Sequence, residues 1–162
     1  DLLPERMRLR GVLPVGRLDK DTTGLLLFTN DGPLCHALLA PRRHVDKVYL
    51  AEVDGPLTDA DIAAFAGGLP LSDFTALPAR LEVLQSTPER ALARVTVREG
   101  KFHQIKRMFE ARGRTVTRLS RLSFGPLALP QDLAPGQWRP LTENELALLQ
   151  RAAQITQARE EA

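Results

Sequence analysis

Asp19 is the residue of this chain whose type and setting best suit chemistry. It lies in a seventeen-residue run, Gly16 to Gly32, reading GRLDKDTTGLLLFTNDG. A carboxylate can act as nucleophile or base, and a nearby cation keeps it ionised. Arg17, two residues earlier, projects to the same side of an extended backbone. The polar turn after Asp19 leads into the apolar stretch Leu25–Phe28, and Asn30-Asp31-Gly32 closes the unit. Charged groups at the lip of a buried strand hold a carboxylate in a fixed, partly desolvated place. The plain structural alternative is an aspartate that caps a turn.

The elements that must position Asp19 follow from pattern. Residues 11–15 and 25–29 read as short strands around an Arg17–Thr23 turn. Asp31 caps a helix over Leu34–Leu39, which Pro41 ends. A basic loop, Arg42-Arg43-His44, leads into a half-buried strand, Val45–Val53, in which Val48, Leu50 and Val53 alternate with charged residues. Thr58, Asp59 and Asp61 start a helix over Ala60–Ala66 that Gly67-Gly68 stops. Strands follow over Ala79–Leu84 and Ala91–Arg98. A helix over Phe102–Arg112 places Ile105, Met108 and Phe109 on one face and ends at Gly113. Thr115–Leu122 is a further strand, and 124–140, with four prolines, is extended and irregular. A last helix begins at Thr142 with a capping box to Glu145. Strands outnumber helices without βαβ regularity, so the fold class expected is α+β, a mixed, mostly antiparallel sheet with flanking helices.

A chain of 162 residues with 43% hydrophobic and 26% charged residues can build one core, with two subdomains allowed. No apolar stretch nears the ~20 residues of a membrane helix. The one cysteine, Cys35, excludes an internal disulfide and fits a reducing, cytoplasmic setting. A chain opening on Asp1 rather than Met is expected to be a piece of a longer protein. Net charge is only +2, yet from Arg98 to Arg121 eight basic residues face Glu99 and Glu110, a surplus of +6 that leaves the remainder at −4. Such a surplus is the footprint of a polyanion partner.

Several separated blocks make the chain resemble the pseudouridine synthases of the bacterial branch that modifies ribosomal RNA. They are Gly16-Arg17-Leu18-Asp19, Thr23-Gly24-Leu25-Leu26, Thr29-Asn30-Asp31-Gly32, Lys47-Val48-Tyr49 and the run from Glu99 to Met108. Phe124-Gly125-Pro126-Leu127 and Arg139-Pro140-Leu141-Thr142 add to them. The His-Gln-Ile-Lys-Arg-Met-Phe wording is most similar to the small-subunit (16S) enzyme. The resemblance implies a pseudouridine synthase catalytic domain over 1–149, a C-terminal helix end or frayed tail over 150–162, and no N-terminal RNA-binding domain in this chain.

It further implies an isomerase that detaches uracil from ribose, rotates it and rejoins it through carbon, with no metal and no other cofactor. Asp19 is then the catalytic aspartate, attacking ribose C1′ or taking a C2′ proton. Arg17, Tyr49 and Lys106 are the implied substrate contacts, Tyr49 stacking on the target base and Lys106 pairing with Asp19, with Arg107 as second choice. Arg42, Arg43, Lys47, Lys101, His103, Gln104 and Arg107 are the expected RNA contacts, while His103 and Gln104 could instead shape the pocket. The expected partner is ribosomal RNA or a ribosome assembly intermediate, with no membrane and a monomeric protein. A non-catalytic RNA-binding module, or a synthase of large-subunit RNA, is the alternative. A glycosidase would need a second carboxyl at a set distance, which nothing nominates. Asp21-Thr22-Thr23-Gly24 has the wrong spacing, and no second copy, for an aspartic protease.

Overall fold

The computed structural model describes Glu5, Met7 and residues 10–40, 45–101 and 103–161. The expected RNA contacts Arg42 and Arg43, with His44 and Phe102, lie outside the described residues. In chain order the elements are β1 (Leu13–Pro14), β2 (Thr22–Gly24), β3 (Phe28–Thr29), α1 (Gly32–Leu39), β4 (Lys47–Val53), α2 (Asp59–Gly67), β5 (Arg80–Ser86), β6 (Ala91–Val97), α3 (Gln104–Ala111), β7 (Val116–Phe124), β8 (Leu127–Ala128) and α4 (Glu143–Glu161). The main sheet runs β2-β7-β4-β6-β5, with β8 added to β7, while β1 and β3 form a separate ribbon. Among the described residues only β2 and β7 pair in parallel. This is the mixed, mostly antiparallel α+β architecture the pattern implied.

Local chemistry explains the helix starts. The Asp31 carboxylate accepts the Leu34 N–H at 2.9 Å. Asp61, in the first turn of α2, accepts the Thr58 N–H at 2.9 Å. Before α4, Thr142 N–H donates to Glu145 and the Glu145 N–H donates back to the Thr142 hydroxyl at 3.1 Å, a reciprocal capping box.

One face of the sheet carries the larger core. Small inward residues, Ala51 on β4 and Ala93 on β6, leave room for Phe65 of α2 and Phe109 of α3, whose ring centroids lie 5.0 Å apart. This corrects the expected face of β4. Lys47, Tyr49, Ala51 and Val53 face this side, and Val48 and Leu50 are half-buried on the other. Successive strand residues alternate sides, so Val48 and Val53, of opposite parity, cannot share one. A smaller cluster gathers Val15, Leu25, Leu27, Leu38, Phe124 and Leu149 where α1 packs on α4.

The expected Arg17–Thr23 turn also differs. It is shortened by β2, in which Thr22, Thr23 and Gly24 pair with Leu119, Ser120 and Arg121. Gly24 is what permits this. Its φ is +110°, and a Cβ there would sit 2.2 Å from the Arg121 carbonyl oxygen. Two backbones can approach this closely only where one has no side chain.

Candidate active site

Asp19 is held by its backbone before its side chain does anything. Its carbonyl accepts the Thr22 N–H at 2.9 Å, so the turn carrying it is tied to the first residue of β2 and through β2 to the sheet. It opens on a cavity of about 570 Å³ between the Gly16–Lys20 loop, the inner face of β4 and β7, and the turn into α3. That volume suits a nucleoside-sized ligand.

The wall opposite is built by Glu99 and Gln104, both buried. Glu99 Oε1 accepts the Leu77 N–H at 2.8 Å and the Gln104 Nε2 at 3.0 Å, and Gln104 Oε1 accepts the Lys101 N–H at 3.1 Å. The Gln104 amide is therefore committed inside the protein. Gln104 lines the cavity with its polar atoms tied into this brace. The brace holds His103, at the start of α3, in the left-handed region with φ 49° and ψ 35°, the one non-glycine so placed among the described residues. Backbone strain of this kind costs on the order of 1 kcal/mol and persists where the surroundings over-determine it. His103 Nε2 thereby stands 3.9 Å from Asp19 Oδ1, an ion pair whenever the imidazole is protonated.

The floor is more buried and more basic than the sequence suggested. Lys47 is only 4% exposed, and its ammonium lies 5.4 Å from the centre of the Phe124 ring. Burial lowers its pKa from 10.5 to about 8, with the Arg121 charge adding to the effect. Tyr49, two residues on, faces Arg121 across the β4–β7 ladder. Arg121 is 3% exposed, its Nε donates to the Leu25 carbonyl at 2.8 Å, and its guanidinium lies 5.2 Å from the same Phe124 ring. Sequence reading counted Arg121 only as one positive charge among eight. The signal that could have found it is its spacing from Leu119, which puts an arginine on the inward face of a strand.

Of the remaining expected residues, Arg17 and Lys101 line the cavity, whereas Lys106 and Arg107 do not. The expected Lys106–Asp19 pair is absent among the described residues, where the imidazole of His103 faces Asp19. Helical geometry gives the reason. α3 turns Ile105, Met108 and Phe109 to the core, and Lys106 follows Ile105 by about 100°. Arg107 bonds Ser72 and Asp73 and lies over Phe74. Among the described residues no three His, Cys, Asp or Glu side chains gather as a metal site.

The family model for RNA pseudouridylate synthase matches residues 5–111. The chain belongs to the RNA pseudouridylate synthase family. An RNA pseudouridine synthase of Bacillus subtilis strain 168, YtzG, is 43% identical over 149 residues, covering 91% of this chain and 62% of its own length. The ribosomal small subunit pseudouridine synthase A of Escherichia coli K12 is 46% identical over 134 residues, covering 82% of this chain and 56% of its own. A crystal structure of a pseudouridylate synthase superposes with a TM-score of 0.85 at 36% identity, over 91% of this chain and 63% of that one. The chain thus spans about 55–62% of the length of the curated relatives it matches. The match to this pseudouridylate synthase model takes in Asp19, Lys47, Tyr49 and His103 but stops before β7, so Arg121 falls outside it.

Proposed function

We propose that this chain isomerises a uridine of ribosomal RNA to pseudouridine, with Asp19 as the catalytic residue. The observation that carries the reading is the juxtaposition of the Asp19 carboxylate, at the mouth of a nucleoside-sized cavity, with Tyr49 on its floor. Relatives named for the small ribosomal subunit favour small-subunit RNA as the substrate.

The target uridine leaves its helix and enters the cavity, where its ring stacks on Tyr49, a contact worth about 1–3 kcal/mol and indifferent to sequence. Asp19 attacks C1′, or takes the C2′ proton, as the C1′–N1 bond breaks. His103, when protonated, pairs with the Asp19 carboxylate and aims it, a role the resemblance gave to Lys106. The freed ring turns, C5 bonds to C1′, C5 loses its proton and N1 gains one, so the net change is an isomerisation that consumes nothing. Arg17 and Lys101 meet the flanking phosphates as the strand crosses the rim. On this reading the protein acts in the cytoplasm as a monomer and calls on no cofactor.

Tritium release from C5-labelled uridine in ribosomal RNA or an assembly intermediate tests it. Asp19→Asn is expected to bind RNA with unchanged affinity and to release tritium at background. Near-normal release by Asp19→Asn overturns the assignment. Background release by the unaltered protein, with RNA bound, replaces the enzyme by a binding module.

A further inference from the structure

Arg121 keeps a buried nitrogen that no acceptor among the described residues meets. Of its five N–H bonds, the one on Nε goes to Leu25. Nη2 is shut off from solvent and finds no acceptor among the described residues. Thr22 Oγ1, on the neighbouring strand, is also buried without a partner. Buried donors of this kind are rare in folded proteins, because each forfeits its bonds to water. Both residues line the cavity beside Asp19. Lys47 lies on the same Phe124 ring as Arg121, so two buried cations share the floor, with Glu99 as a nearby carboxylate already committed to Leu77 and Gln104. A low-dielectric site with surplus positive charge and open donors is prepared for negative charge on oxygen.

We propose that the Arg121 guanidinium donates to a carbonyl oxygen of the departing uracil ring and stabilises the negative charge that the ring acquires. The proposal rests on the isomerase reading above. Its geometry comes from the ladder, since Tyr49 and Arg121 are directly opposed on β4 and β7 and such neighbours have Cβ atoms about 4.5–5.5 Å apart. A ring stacked on Tyr49 therefore presents its edge to Arg121. When the C1′–N1 bond breaks, its electron pair stays with the ring and spreads to the carbonyl oxygens. Asp19 meets the deficit at the sugar, by bonding to C1′ or by taking the C2′ proton. Arg121 keeps its proton throughout and acts through hydrogen bonding alone. It holds the detached ring in the cavity while the ring turns to offer C5.

The test uses Arg121→Lys, which keeps the charge, and Arg121→Gln, which keeps a donor for Leu25, each checked for an unchanged melting transition. Turnover is measured on RNA with uridine at the target. Single-turnover rates, with protein in excess, are compared between that RNA and the same RNA with 5-fluorouridine. The electron-withdrawing fluorine already stabilises the departing ring, and 5-fluorouridine, having no C5 proton to lose, reports the bond-breaking steps alone. Conversion is read as loss of the starting nucleoside from nuclease digests. On uridine, kcat is expected to fall about 10²-fold with KM nearly unchanged, the magnitude typical of losing one transition-state donor. On 5-fluorouridine the loss is expected to shrink to about 10-fold or less, because less charge then needs the donor. An equal loss on both substrates, or a change confined to KM as for a phosphate contact, overturns the role of Arg121 while leaving the isomerase reading intact. Unaltered protein that converts neither RNA overturns both together.

Discussion

Lys47 is a lysine kept where an ammonium is poorly solvated, and that position links stability to pH. Its pKa is lowered to about 8 in the fold, chiefly by burial, against 10.5 as its ordinary value. Between those values the unfolded chain binds the proton more firmly, so this residue makes the protein more stable as pH rises from about 8 to about 10.5. At pH 7 it is a buried cation retained at a cost. Lys47→Met is therefore expected to be more stable than the unaltered protein at pH 7 in urea unfolding. That advantage should shrink steadily as the comparison moves to pH 10. An advantage that stays flat with pH would show that Lys47 titrates normally. The same substitution is expected to weaken RNA binding, since an arriving phosphate or anionic ring loses a cation in a water-poor site.

At the scale of elements, the β2–β7 pairing is what fixes Asp19. Gly24→Ala places a methyl group against the Arg121 backbone at a left-handed φ. The expected result is a loss of at least about 3 kcal/mol of stability, from overpacking and strain together, with turnover falling even at temperatures where the protein stays folded. Near-native stability and turnover would mean that β2 does not press on β7. Helix α2 depends comparably on Asp61, which is 6% exposed, caps Thr58 and bonds the Arg112 Nε at 2.8 Å. Burial alone would raise its pKa, but the Arg112 and Thr58 donors outweigh burial and hold it below the ordinary carboxylate range. Stability from this group is thus present above the ordinary carboxylate pKa and is lost as pH falls through the lower folded value. Asp61→Ala is expected to cost about 3 kcal/mol in thermal or urea unfolding, by leaving Arg112 unpaired. A cost under about 0.5 kcal/mol would contradict it.

Across the whole molecule, the basic surplus between Arg98 and Arg121 does not become one patch. Arg98 bonds Asp46, Arg107 bonds Asp73, Arg112 bonds Asp61, Arg114 bonds the Pro56 carbonyl and Arg121 is buried on Leu25. Charge counted along a sequence is spent in three dimensions wherever a partner folds against it. At the cavity Lys101 and Arg17 are exposed, and Arg118 is exposed on β7. Lys101→Ala is accordingly expected to weaken RNA binding alike for all sequences and to flatten the salt dependence of log K by about 0.7–0.9. An unchanged slope, measured from low to moderate salt, would remove Lys101 from the interface.

The sequence by itself determined what neighbours in the chain can settle. Asp31, Thr58 with Asp61, and Thr142 with Glu145 announced their helix starts because capping joins residues three apart. The Asp19 and Tyr49 blocks were legible as motifs, and the core face of α3 followed from the spacing of Ile105, Met108 and Phe109. Tertiary structure alone decided that β2 exists, since its partner lies on β7, about ninety-seven residues away in the pairing of Thr22 with Leu119. It decided which side of β4 is inward, because alternation fixes parity but not which parity the helices cover. It also exchanged Lys106 for His103 beside Asp19 and carried Arg121 from a surface charge to the cavity floor. The distance between side chains on separate elements is set by packing, and no local pattern encodes it.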